Sequence, residues 1–548
     1  VGSLNLKIIA FNDFHGHLAP PSGNGGLVNV SVLSDGGIQT VAAGGAAFFA
    51  KVIADLRAAT PHSVVVSAGD LIGGTPLLSK AFADEPTLTV MDAIGLDIAG
   101  VGNHEFDEGL DELLRLQSGR CRAQGCFDAG VAFQMPRFQF IGANVQRLDG
   151  GYPLARYAVK TYEGTKVAFV GMTLEGTAGV LAPKGSAGLR FLNEVETVNR
   201  LVPELRAQGI RAVVVILHEG GVQTTTAPLF NGCAGLSGPI VRIVNALDPE
   251  VDLVVSGHTH AAYNCQCFGD GGCAAPTPAA TGGRRVTSAL AFGRLVSDID
   301  LTLDRNSGDV VGIRSTNRVV ERDAGLPSVA ALIDTYSSNS EAVRGRRVGS
   351  ISQTLSAQAA DAGEVPLGLV IADAQLEATR TEGAVAAFMN SGGVRADIVF
   401  RDAGIATSAV TYEDLFNAQP FGNLLVTMTL TGAQLMELLN QQFSPTRTRI
   451  LQVSTGFSFT WALSGDAGMR IDRTSVRLNG IPLADDATYR VTVNNFMAAG
   501  GDNYAVLTQG TNRVLGPVDL DALEAFFADA GVVAAPTPGR IRVIPTLP

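Results

Sequence analysis

No apolar run in this chain reaches the roughly 18 residues that a membrane-crossing helix needs, so no segment reads as a transmembrane span. Basic residues are in deficit as well: 40 Lys and Arg face 52 Asp and Glu, a net charge of −12. General binding to nucleic-acid polymers or anionic membranes needs a basic face, and that balance argues against both. An acidic protein still binds anionic small molecules where metal ions and a few arginines reverse the sign locally. Charged residues make up only 17% against 46% apolar ones, which excludes a disordered chain and supplies ample core. Internal repeats and low-complexity tails are missing too. At 548 residues the chain exceeds the roughly 250–300 that one core normally organises, so more than one domain is expected.

Cysteines are few, at positions 121, 126, 233, 265, 267 and 273. Their even number allows three disulfides, which would place the protein outside the reducing cytoplasm, in a periplasm or secreted. Free core thiols are the weaker alternative, because four of these cysteines read as lying in glycine-rich or polar loops. A zinc knuckle is disfavoured, since Cys265-Gln266-Cys267 lacks the usual two-residue spacing. Cys121–Cys126 and Cys267–Cys273 would close short loops and leave Cys233 for Cys265, although sequence alone leaves the pairing open. The opening Val1-Gly2-Ser3 soon enters a strand, so any signal peptide is expected to have been removed.

Strand-like and helix-like segments alternate over the first 320 or so residues. Residues 6–11, 64–67, 98–101, 167–170, 213–217 and 253–255 are short, apolar and mostly β-branched, as strands buried on both faces are. Helical spacing marks residues 46–59, 106–116 and 195–207 between them. This is an α/β chain, a layered sandwich with its site at the carboxyl ends of the strands. An apolar stripe over 328–343 reads as a helix joining this region to a second α/β region. The expected division is 1–325, a joining helix at 326–346, and 347–548.

Histidine is scarce, with seven in all, yet five sit in motifs that read as one metal site. They are His15 in Asn12-Asp13-Phe14-His15, His104 in Gly102-Asn103-His104-Glu105-Phe106-Asp107, His218, and the pair in Gly257-His258-Thr259-His260. Asp70 ends another strand-like run. Asp13 and His15 are two apart, so on a regular strand both would face one side. Oxygen and nitrogen donors without sulfur suit zinc, manganese, cobalt or iron(II) better than calcium. Asp13, His15, Asp70, Asn103, His218, His258 and His260 are too many donors for one tetrahedral ion. They suit two ions about 3.5–4 Å apart that share a bridging group, activate a water and clamp a phosphoryl group. A single strand-end histidine is more often a satisfied polar residue than a ligand, but five agreeing positions are not independent accidents. His17 and His62 match no motif and read as ordinary surface residues.

These motifs together resemble the calcineurin-like metallophosphoesterase signature. The carboxy-terminal half resembles the partner domain of the 5′-nucleotidase family through Asn390-Ser391-Gly392-Gly393-Val394-Arg395, Gln419-Pro420-Phe421-Gly422-Asn423, Ser454-Thr455-Gly456-Phe457 and Asn495-Phe496 followed by Gly500-Gly501-Asp502. The resemblance implies a four-layer α/β/β/α sandwich and a second α/β substrate-binding domain joined to it by a helix. It assigns Asp13, His15, Asp70 and His260 to one divalent ion (Zn, Mn or Co), and Asp70, Asn103, His218 and His258 to the other. His104 is left off the metals, with Asp107 to orient it, as the catalytic pair. For the substrate it implies a base stacked between Phe421 and Phe496, with Asn390, Gly393, Arg395, Asn423, Gly456 and Asp502 around base and ribose.

Two departures stand out. Some bacterial members carry Gln where this chain has His260, a swap that preserves a donor. The arginines that members commonly carry before the helix at 367–379 are missing from 358–366, and Arg344, Arg346 or Arg347 are the candidate replacements. The implied activity is that of an exported dimetal 5′-nucleotidase, hydrolysing nucleoside 5′-monophosphates to nucleoside and phosphate by attack of a metal-activated water. A broader nucleotide hydrolase acting on UDP-sugars, NAD or 2′,3′-cyclic nucleotides is the runner-up. A catalytically silent nucleotide-binding protein is the third reading.

Overall fold

The computed structural model of the chain describes residues 2–547 apart from 34–36, 124, 128, 182, 225–229, 270–271, 277–282, 402–403, 445–446 and 467. It divides into two compact units, Val1–Pro21 with Gly26–Ser340, and Ser22–Gly25 with Glu341–Pro548. The break falls inside the helix Pro327–Arg344. Among the described residues no helix is long and apolar enough to cross a membrane.

The first unit holds two large sheets. One runs Val310–Val319, Leu295–Asp304, Ser3–Phe11, Ser63–Ser67, Ile98–Gly100, Gln139–Ile141 in spatial order; its last four strands are mutually parallel. The other includes Arg284–Ala289, Leu253–Ser256, Ala212–His218 and Thr165–Thr173, also parallel to one another. Alternation explains the layering, because successive side chains point to opposite faces. Ile8, Ala10, Val64, Val66, Val214 and Ile216 meet between the two sheets in one core. Their neighbours Ile9, Phe11 and Val65 pack outward with the helices Ala46–Ala58, Glu85–Ile94 and Leu110–Gln117. Val213, Val215 and Leu217 do the same with Glu194–Ala207 and Pro239–Ala246. The result is α/β/β/α.

The outer helices start where the sequence directs them. Asn193 caps Glu194–Ala207 by accepting the Glu196 N–H, and Pro239 opens its helix at a position that needs no donor. Residues expected to continue as helix from Phe106 instead form a tight turn, His104–Phe106, and the α-helix begins only at Leu110. Gly109, at φ 90°, separates the two.

All six cysteines are paired, as Cys121–Cys126, Cys233–Cys265 and Cys267–Cys273. The loop placement expected for four of them holds for Cys121, Cys126 and Cys233 and fails for the other three. Cys265 and Cys267 lie on the strand Ala262–Cys267, and both, with Cys233, are buried.

In the second unit a five-stranded sheet runs Gln452–Val453, Ala386–Met389, Thr488–Asn494, Leu424–Thr431, Thr511–Val518. Ala386–Met389 and Thr488–Asn494 are parallel, so Asn390 and Asn495 leave the same end. Leu424–Thr431 is antiparallel with Leu425 opposite Asn494, which brings Asn423 to that end as well. Helices Pro366–Ala378 and Gly432–Asn440 cover the sheet's apolar residues.

Candidate metal centre and substrate residues

The expected ligands leave the carboxyl ends of parallel strands. Asp13 follows Phe11, Asp70 follows Ser67, Asn103 follows Gly100, His218 closes its own strand, and His258 and His260 follow Ser256. They form two groups, Asp13 with His15 and His260, and Asp70 with His218 and His258. Within each group the ligand atoms lie within 4.8 Å of one another. Asn103 joins the second, its Oδ1 lying 3.2 Å from His218 Nε2.

Strand alternation is not what aims Asp13 and His15. Their strand has already ended, and both adopt left-handed backbone, φ 49° and 46°. Asp70, His258 and His260 do the same at φ 50°, 72° and 52°. Such conformations cost of order 1–3 kcal/mol each and persist where surrounding structure imposes them. Here the imposing contacts are visible. Asp13 N–H donates to Gly69 O at 3.0 Å and His15 N–H to Asp70 O at 2.9 Å. The His258 N–H donates to Asp13 Oδ2 at 2.9 Å, and the His104 N–H to Asp70 Oδ1 at 2.9 Å. Close approach also requires Gly102, where a Cβ would overlap the Asp70 carboxylate.

Histidine tautomers follow from the carbonyls. His15 Nδ1 lies 2.7 Å from Gly73 O, and His218 Nδ1 lies 2.7 Å from Ala68 O. A carbonyl only accepts, so each Nδ1 carries the hydrogen and each Nε2 turns a lone pair inward. His218 Nε2 then faces the oxygens of Asn103 and Asp70 at 3.2 and 3.1 Å. His15 Nε2 faces His260 Nε2 at 3.1 Å. Buried acceptors pointing at one another require positive charge between them, and two divalent cations fit these donor sets.

Where no cation is bound, protons on the imidazoles supply that positive charge instead. Burial alone would raise Asp70, but the imidazoles of His218, His104 and His15 outweigh it and hold the carboxyl well below its usual range. His218 is opposed by burial yet pushed up to about 10, chiefly by Asp70.

His104 stands beside the groups, its ring 5.1 Å from that of His15, with Nδ1 2.9 Å from Asp107 Oδ2. Asp107 lies at the end of the turn rather than at the start of a helix, so the alternative role of helix cap does not apply.

Sequence reasoning passed over Glu105. Its buried carboxylate accepts the N–H groups of Asp70, Leu71 and Gly102 at 2.9, 2.7 and 2.5 Å, tying the Asp70 loop to the Asn103 loop. Burial, and then Asp70 beside it, push this carboxyl up to about 7. An acidic residue inside a ligand motif, in a chain with little charge to spare, was the available signal. His17 also departs from its reading as a surface residue: its ring stacks on Phe292, centroids 3.9 Å apart. His62 is half-buried and donates to Glu163 at 2.7 Å.

In the second unit Asn390, Asn423, Phe496 and Asp502 gather at one end of the five-stranded sheet. Asn390 Nδ2 donates to Asp502 Oδ2 at 2.9 Å, and Asp502 also pairs with Arg449, which the sequence did not single out. Phe496 lies against Gly501, whose Cβ position would meet its ring. Gly393 is buried in the turn Ser391–Gly393 that leads to Arg395, whose guanidinium lies 5.7 Å from the Phe421 ring centre. Phe421 and Phe496 are both partly exposed. Gly456 lies apart. Val453 pairs with Phe388 in antiparallel register, so the chain leaves it toward the opposite end of the sheet from Asn390. Gly456 there turns against Asn479 at φ 92°. The three candidate replacement arginines are engaged locally, Arg344 on Glu413, Arg346 on Glu524 and Arg347 on Ser350.

Two sheets sandwiched by helices, with two groups of oxygen and nitrogen donors at their strand ends, define a metallophosphoesterase. Residues 6–262 match the family model of the calcineurin-like phosphoesterases, and residues 347–509 match that of the 5′-nucleotidase C-terminal domain. The chain belongs to the 5′-nucleotidase family, a family of metal-dependent phosphoester hydrolases. Endonuclease YhcR of Bacillus subtilis (strain 168) is 31% identical over 94% of this chain, which spans 39% of that protein. Cell wall protein Lmo0130 of Listeria monocytogenes serovar 1/2a is 29% identical over 91% of this chain, which spans 64% of it. The solved structure of a 5′-nucleotidase precursor from Thermus thermophilus is similar at a TM-score of 0.77 and 25% identity, covering 99% of each chain.

Proposed function

We infer that this chain is an exported 5′-nucleotidase that releases phosphate from nucleoside 5′-monophosphates. The observation that carries the reading is the pairing of two adjacent donor groups with a His104–Asp107 pair beside them. Asp13, His15 and His260 would hold one divalent cation, and Asn103, His218 and His258 the other, with Asp70 shared. Cations bound there would activate a water and withdraw charge from the phosphoryl group. The remaining work falls to the protein. His104, its Nδ1 held by Asp107, presents Nε2 to the substrate and, as imidazolium, stabilises charge on the phosphoryl oxygens or protonates the departing 5′-oxygen. Glu105 keeps the Asp70 and Asn103 loops in register. In the second unit, partly exposed Phe421 and Phe496 offer stacking faces for a base, and Asn390, Asn423, Asp502 and Arg395 offer polar groups for base and ribose. Three disulfides support maturation outside the reducing cytoplasm.

The test is phosphate release by Mn²⁺-loaded protein from a panel containing AMP, a UDP-sugar, NAD and a 2′,3′-cyclic nucleotide. Preferential hydrolysis of AMP is expected. A preference for another member would replace the monophosphate reading with the broader hydrolase, and no turnover of any would leave a silent nucleotide-binding protein.

A further inference from the structure

The imidazoles of His15 and His260 are not held by their hydrogen bonds alone. Phe292 sits against both, its ring centre 6.0 Å from His15 and 5.4 Å from His260, with interplanar angles of 65° and 77°. Its other neighbours fix it in place. His17 stacks on it at 3.9 Å and 27°, and the Arg294 guanidinium lies 5.4 Å from its centre. The His17 ring is itself anchored, since its Nδ1–H donates to the carbonyls of His15 and Phe14 at 3.0 and 3.2 Å. The backbone is committed to this placement. Phe292 adopts φ 65° and Leu290 φ 56°, unusual for non-glycine residues, and the Phe292 N–H donates to Asp13 O at 2.8 Å. A segment that accepts such strain in order to bring an aromatic ring against two imidazoles, while bonding to the backbone of the third ligand of the same group, is organised around that group. His260 has most need of it, with 27% of its side chain exposed against none for His15 and Asp13.

We propose that Phe292, backed by His17, is a positioning residue for the Asp13–His15–His260 cation group, fixing the two imidazole planes and screening that group from water. The inference rests on the reading of these residues as ligands. Its effect is local, because among the described residues the candidate ligands whose rings Phe292 touches, His15 and His260, both belong to this group.

The test titrates metal-free protein with Mn²⁺ by calorimetry, comparing wild type with Phe292→Ala, Phe292→Tyr and His17→Ala. Wild type is expected to bind two ions; a wild type that binds fewer overturns the ligand reading itself, whatever the variants do. Given two ions, Phe292→Ala should weaken one of them by about 10–100-fold, the range typical of residues that orient ligands, and the other by much less. Phe292→Tyr should restore the lost affinity, and His17→Ala should weaken the same ion to a smaller degree. Co²⁺ absorption should change for the weakened ion alone. Unchanged affinities in Phe292→Ala, or equal weakening of both ions that Phe292→Tyr fails to restore, would overturn the proposal. Should Phe292→Ala not fold, His17→Ala decides alone: selective weakening supports the proposal and unchanged binding defeats it.

Discussion

His104 and Asp107 meet across a single tight turn, imidazole Nδ1 against carboxylate Oδ2 at 2.9 Å, while the His104 backbone N–H holds Asp70 Oδ1 at 2.9 Å. One residue thus holds the Asp70 carboxylate through its main chain while its imidazole is oriented by Asp107. His104→Ala should therefore lower kcat by about 10²–10⁴-fold, as for acid–base and charge-stabilising groups, with metal content intact. Kinetics beside elemental analysis of the same preparation check this. Loss of metal would make His104 a ligand instead.

Glu105→Gln retains the size of the side chain but replaces one acceptor oxygen with an NH₂ that would confront backbone donors. The Asp70 and Asn103 loops should drift, and metal affinity should fall by about 10–100-fold. A chelator competition assay reads this directly, and affinity equal to wild type would reduce Glu105 to a bystander.

Base recognition is assigned to Phe421 and Phe496. Replacing both with Ala should raise KM for AMP strongly, since stacking is worth roughly 1–3 kcal/mol per base. Hydrolysis of p-nitrophenyl phosphate, which has no base, should change far less. Equal losses on the two substrates would show that the rings support the fold.

Asp252 offers a pH prediction away from the metal centre. Burial first, then the carboxylates of Asp309 and Glu250, push its carboxyl up to about 7 against the opposing Val213 N–H and Arg284. Folding therefore favours the protonated acid. Its contribution is intact below the unfolded value near 4 and is lost as pH rises toward about 7, by at most about 1.4 kcal/mol per unit. Asp252→Asn keeps an acceptor for the Val213 N–H, which lies 2.8 Å away, without that penalty. Urea unfolding should show the variant gaining on wild type between about pH 4 and 7 and levelling off above, and parallel curves would refute the assignment.

The alternating sheets, the outer helices and the strand-end placement of the candidate ligands were legible because periodicity and residue type determine them locally. The reach of Asp13 and His15 was misread, since alternation assumes extended backbone and these residues turn left-handed under contacts from Gly69 and Asp70. The partners of Glu105, Phe292 and Arg449 were not legible for a related reason: Asp70 and Leu71, His15 and His260, and Asp502 lie far from them in sequence. The buried strand that carries Cys265 and Cys267 was not among the expected strands, because polar neighbours hide it. Gly456 followed a motif, but strand register sends it to the far end of the sheet from Asn390.

The donors run from Asp13 to His260, and each of the two groups draws on strands of both sheets, so neither group is complete until both sheets have formed and packed. A partly folded chain consequently offers scattered aspartates and histidines with little hold on a cation. Cations bound at these groups would therefore enter a finished cradle, after the slow closure of long-range strand pairs, rather than nucleate folding. Each bound ion would then add stability to the native state according to its concentration and affinity, and the protein's resistance to heat would gauge the free metal around it.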